Sequence, residues 1–109
     1  MPDTYKTLGQ SNPVAATLTD AYTVPASTET IVSSITVANR SATPTSFRIS
    51  IAIAGAADAN QQYIAYDVAI GANEAIALTL GVTLAATDVV RVYATLATLS
   101  FNIFGVEKS

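Results

Sequence analysis

The sequence has no histidine, no cysteine and no tryptophan, and only 12% of its 109 residues are charged. A soluble domain ordinarily carries roughly 25% Asp, Glu, Lys and Arg. Each absence excludes something. Without cysteine there is no disulfide framework and no thiolate nucleophile. Without cysteine or histidine a structural zinc site has no ligand set, and a serine hydrolase triad has no imidazole base. Lack of tryptophan weakens a sugar-stacking reading, because aromatic platforms often use it. So few charges can hardly cover a whole surface, so part of the outside is expected to be covered by other protein.

Longer features are missing too. No run of about 18 apolar residues occurs, so no transmembrane helix and no membrane partner are expected. Met1-Pro2-Asp3-Thr4-Tyr5-Lys6 is not followed by the apolar core of a secretory leader, and the expectation is synthesis without Sec export. The cations Lys6, Arg40, Arg48, Arg91 and Lys108 are scattered, and the net charge is −3. Nucleic acid needs a basic face to displace counterions from phosphate, so no nucleic-acid partner is expected.

What remains is apolar and small. Hydrophobic residues make up 50% of the chain and the mean hydropathy is +0.42, which excludes a disordered chain. The length suits one domain with one core. Much of the apolar content is Ala, which buries little area, so the core should be thin and association with further copies would add burial.

A period of two runs through most of the sequence and predicts strands. In residues 29–39 it places Ile31, Ile35 and Val37 on one side and Val32, Ser34, Thr36 and Ala38 on the other. Residues 46–53 align Phe47, Ile49, Ile51 and Ile53 against Arg48, Ser50 and Ala52. Residues 62–70 align Ile64, Tyr66, Val68 and Ile70, which makes Tyr66 half-buried and leaves Tyr63 and Asp67 on the other side. Further runs carry Ile76 and Leu78, Val90 and Val92, and Leu99, Phe101 and Ile103. About seven to eight short strands at this spacing predict an all-β fold, a single antiparallel β-sandwich or jelly-roll-like domain. Its expected core is Ile35, Val37, Phe47, Ile49, Ile51, Ile76, Leu78, Val90, Val92, Phe101 and Ile103.

Residues 1–16 show no sustained alternation and contain Pro2, Gly9 and Pro13. They are expected to form an extended N-terminal arm, with the sandwich occupying 17–109. Tyr5 and Leu8 would anchor the arm on a neighbour, and Tyr63 is a third interface candidate because Tyr combines apolar area with a polar tip. The alternative is a strand at a sheet edge.

The acidic residues offer little chemistry. Asp20, Asp58 and Asp88 lie in or beside predicted turns, where Asp is common for local hydrogen-bonding reasons. Asp58-Ala59-Asn60 spaces oxygen ligands as calcium loops do, but no downstream carboxylate completes the pattern. The expectation is therefore no catalytic residue, no metal, no cofactor, and no enzyme.

Several segments carry a resemblance: Tyr5–Gln10 (YKTLGQ), Ala21–Ala26 (AYTVPA), Ile31–Arg40 (IVSSITVANR), Leu84–Val90 (LAATDVV) and Leu99–Gly105 (LSFNIFG). Together they resemble a family of small virion structural proteins of tailed bacteriophages, many from cyanophages. The matched features are packing and turn patterns. The resemblance implies a virion component, made in the host cytoplasm, with a capsid decoration (cement) protein as the first expectation. Its partners would be itself, as a homo-oligomer with a trimer favoured, and the major capsid protein. The alternative is a tail, neck or baseplate component partnered by tail proteins, with a carbohydrate-binding module at a tail tip third.

Overall fold

Val, Ile, Thr and aromatic residues, which favour a pleated and half-buried backbone, fill eight strands in the computed structural model, which describes residues 3–108, the side chain of Leu80 apart. These are β1 (Asp3–Ser11), β2 (Thr19–Thr23), β3 (Glu29–Asn39), β4 (Thr45–Ala52), β5 (Tyr63–Ile70), β6 (Ala75–Leu84), β7 (Val89–Ala94) and β8 (Leu99–Lys108). Two short 3-10 turns, Ile53–Gly55 and Asn60–Gln62, lie between β4 and β5.

The pairing is nested. β1 pairs with β8, β2 with β7, β3 with β6 and β4 with β5, all antiparallel. The chain is thus one long antiparallel ribbon folded back on itself, and pairing of β3 with β8 and of β4 with β7 closes it into two sheets. Their orders are β1-β8-β3-β6 (sheet A) and β2-β7-β4-β5 (sheet B). A ribbon wrapped this way is a jelly roll, so the expected all-β antiparallel sandwich is the observed one.

The core lies between the sheets. Phe47 of sheet B and Phe101 of sheet A meet edge to face, with centroids 6.0 Å apart and planes at 77°. Ile35, Val37, Ile49, Val90, Val92 and Ile103 are fully buried around them. Ile51, Ile76 and Leu78 pack on the border of this cluster and stay half-buried. Val24, Ile70, Leu84 and Leu99 complete it.

Strict alternation fails where the strands carry an extra residue. In β3 the register slips between Val32 and Ser34, so Ser33 is a bulge against β8. A bulge inverts the parity before it. Val32 is therefore fully buried and Ile31 is 42% exposed, the reverse of the alternation expectation. Similarly, Asp67 in β5 has φ of 51°, and the register against β4 shifts at this level. Tyr66 consequently faces outward at 56% exposure, not half-buried with Val68 and Ile70.

The N-terminal arm is also corrected. Residues 3–11 form β1, an edge strand paired along its length with β8, while Met1 and Pro2 lie outside the described residues. Leu8 broke the alternation because it is itself a bulge, between Thr7 and Gly9. It turns inward and packs on the domain's own core. The bulges of β1 and β3 flank Phe104 of β8, the first between Phe104 and Ile103 and the second between Phe104 and Gly105. Gly105 is required there: a Cβ would strike the Ile31 carbonyl oxygen and sit 3.0 Å from Leu8 Cδ1.

Candidate functional site

The two outer faces of the sandwich differ in chemistry. Sheet B is ion-paired. Arg48 of β4 bonds Asp67 of β5, with Nε 2.6 Å from Oδ1 and Nη2 3.3 Å from Oδ2. Its guanidinium lies over the rings of Tyr66 (4.1 Å) and Tyr93 (4.6 Å). Strand order explains this gathering, since β4 runs between β7 and β5. The Asp67 carboxylate raises the Arg48 pKa further, so this cation is permanent. Arg91 of β7 donates to Asp20 Oδ1 (2.9 Å) and to the carbonyls of Ala56 and Gly55, pinning the β4–β5 loop across the face.

Tyr63 stands beside this cluster. Its ring meets Tyr66 at 5.0 Å and 90°, and its hydroxyl donates to Asp58 Oδ2 at 3.1 Å. Burial first, then that carboxylate, push the Tyr63 phenol pKa up. The Tyr66 ring is therefore held by Arg48 over one face and by an edge contact with Tyr63.

A second polar cluster ties the sheets together at one end. Tyr22 Oη donates to Glu107 Oε2 (2.6 Å) and bonds Thr30 Oγ1 (2.8 Å), while Lys6 Nζ lies 2.8 Å from Glu107 Oε1. Burial, reinforced by the Glu107 carboxylate, pushes the Tyr22 phenol up to about 12. Lys6 and then Tyr22 hold the Glu107 carboxyl below its ordinary value. Asp88 is likewise engaged, accepting the Ala54 and Ala85 amides at 2.9 Å each and bracing two loops. Among the described residues no three Asp or Glu converge as metal ligands. A shallow open groove of about 330 Å³ beside β1 and β8 is lined by Gln10, Ser11, Asn12, Ser100, Phe101 and Asn102, none of them ionisable. These clusters brace the fold, and their charged side chains are paired with neighbours within the chain.

Sheet A is different. Residues paired across neighbouring strands share a face, and the outer rows read Tyr5, Val106, Ile31 and Thr83, then Thr7, Phe104, Ser34 and Thr79. Next come Gln10, Asn102, Thr36 and Ala77, then Ser100, Ala38 and Ala75. None of these four rows holds a charge. Only the last row at one end, Asp3, Lys108 and Glu29, is ionic. With strands about 4.8 Å apart and a rise of about 3.3 Å per residue, this uncharged face covers on the order of 500 Å². Contiguous uncharged surface of that size, with Tyr5 79% exposed at its margin, is the candidate interaction surface.

The three residues singled out by sequence therefore part company. Tyr5 lies on the uncharged face, Leu8 belongs to the core border, and Tyr63 braces the opposite sheet. Ile31, Phe104 and Val106 were missed; the bulge at Ser33 hid the first, and the register of β8 against β1 and β3 places the others.

Comparison with protein-family models, with curated proteins and with solved structures finds no match.

Proposed function

We propose that this chain is a structural protein of a bacteriophage virion, a capsid decoration protein that associates with its own copies and clamps adjacent capsid subunits. The observation that carries the self-associating, structural part is the uncharged outer face of sheet A beside an ion-paired sheet B. Tyr5, Ile31, Phe104 and Val106 on this face gain by burial, and its Ser and Thr hydroxyls, unlike charges, are desolvated at modest cost when a partner surface hydrogen-bonds them. The virion setting rests on the sequence segments that resemble small phage structural proteins. Jelly rolls recur in viral capsid domains, which agrees with that setting at the level of architecture alone.

Clamping follows from multiplicity. Each copy contributes a modest contact, and opening the shell must break many of them together. Virions assembled without the protein should form, yet burst at a lower temperature or under osmotic shock, and added purified protein should restore their resistance. Virions of unchanged resistance would remove the cement role.

A further inference from the structure

The four edges of the sandwich are unequally protected against pairing with another strand. Natural sheets guard their edges with short strands, bulges, charges or proline. β2 has five residues, a register break, Asp20 and a following Pro25. β5 has the left-handed Asp67, which breaks its register and places a charge at the edge. β1 has the Leu8 bulge together with Asp3 and Lys6. β6 is ten residues long, AIALTLGVTL, with no charge and no proline, and its stretch Ala75–Leu78 pairs with β3 in unbroken register up to Thr79.

The phase of its hydrogen bonds can be read from one of them. Asn39 N–H donates to the Glu74 carbonyl at 2.8 Å. In an antiparallel ladder the residues whose backbone groups point to the neighbour alternate. Glu74, Ile76 and Leu78 therefore turn theirs to β3, and Ala75, Ala77 and Thr79 turn theirs outward. Among the described residues, no strand pairs with that side. Those same three residues have exposed side chains, while Ile76 and Leu78 face the core and stay half-buried because nothing flanks them.

We infer that β6 is a pairing edge occupied by β6 of a second copy of this chain, antiparallel about a two-fold axis at Ala77. The segment is complementary to itself. About that axis Ala75 meets Thr79 of the second copy, Ala77 meets its own equivalent, and Ile76 lies opposite Leu78 of the second copy. Up to about six ladder hydrogen bonds form, the half-buried Ile76 and Leu78 extend one core into the next, and no charge faces another. The alternative partner strand, β1 of another copy, would bring Asp3, Lys6 and a bulge to the seam. It would also leave an open β6 and an open β1 at the ends, the arrangement that grows into filaments or rings, whereas the two-fold contact closes. This deepens the self-association within the proposed function and makes its unit a two-fold pair in place of the threefold ring that the resemblance implies. It does not depend on the virion setting.

Sedimentation of the purified full chain over a wide concentration range tests it. The wild type should be a dimer. Ala77→Lys and Ala77→Glu should each weaken dimerisation at least tenfold while the β-type circular dichroism spectrum is kept, because like charges then meet at the axis. An equimolar mixture of the two variants should recover the dimer. Hydrogen exchange should show the Ala75, Ala77 and Thr79 amides protected in the dimer and fast in either variant alone. A wild type that is monomeric at every concentration, an oligomer indifferent to both variants, or variants that fail to recombine would overturn the pairing. Protection of those three amides only in the presence of another protein would equally overturn it and assign the edge to a foreign strand. Each of these results is read on the isolated protein and is separate from where a virion carries it.

Discussion

The bulge at Ser33 makes opposite demands on two adjacent residues, and replacing each with alanine separates them. Val32 is fully buried between the sheets, and Ile31 is 42% exposed on the outer face of sheet A. Val32→Ala removes two methyl-sized groups at about 0.8 kcal/mol each from a site with no access to water. The cavity left behind adds to this, for a total of about 2–3 kcal/mol. Ile31→Ala removes more carbon from a site already half in water, and should cost under about 1 kcal/mol in a monomer. For a domain of this size a kcal/mol corresponds to about 4–8 °C, so Val32→Ala should lower the melting temperature by about 10–20 °C and Ile31→Ala by only a few degrees. Thermal unfolding followed by circular dichroism and urea titration would both show the gap. Unbroken alternation demands the reverse order. Finding Ile31→Ala the more costly change would refute the bulged register and with it the layout of the outer face.

Other perturbations follow from the same structure. Phe47→Ala empties the centre of the core and ends the edge-to-face contact with Phe101, for a loss of about 3–5 kcal/mol in urea denaturation. Gly105→Ala should destabilise by about 1–3 kcal/mol because the Ile31 carbonyl cannot move aside, whereas Gly81→Ala, with open space around the new Cβ, should cost far less. Thr87 is a β-branched residue at φ of 71°, so Thr87→Gly should raise stability by about 1 kcal/mol, measured as an upward shift in melting temperature. Glu107 has a lowered folded pKa, so its contribution is present above the ordinary carboxylate value near 4.5 and is lost as pH falls through the folded value. Stability measured against pH should therefore drop on that acid limb, and less steeply in Glu107→Gln. Tyr22 has a raised pKa, so the unfolded chain ionises first, and stability should fall between about pH 10 and about 12. Tyr22→Phe should flatten that alkaline limb.

The architecture was legible because the buried residues of a two-sheet sandwich recur at every second position. Phe47, Ile49, Val90, Val92, Phe101 and Ile103 fall on the inner face as alternation requires. A bulge, by contrast, has no compositional signature. Ser33 looks like any strand serine, and Leu8, out of step with Tyr5, made a regular edge strand read as an arm. The candidate surface was only partly legible for a related reason. Poverty of charge in the sequence says that some face is neutral, but which one depends on strand order. Only pairing of β1 with β8, β8 with β3 and β3 with β6 sets Tyr5, Val106, Ile31 and Thr83 in one row. The clustering of Arg48, Tyr66, Tyr93 and Asp67 likewise needs the order β7-β4-β5, which no local pattern contains.

Counting and locating the protein on intact phage particles tests the proposed function most directly. Quantitative mass spectrometry would give its copies relative to the major capsid protein, and gold-labelled antibody would show where those copies sit. A decoration protein gives a copy number comparable to that of the capsid subunits and label spread over the head. Label confined to the tail at the few copies of a single ring, or no protein in the particle, would contradict it.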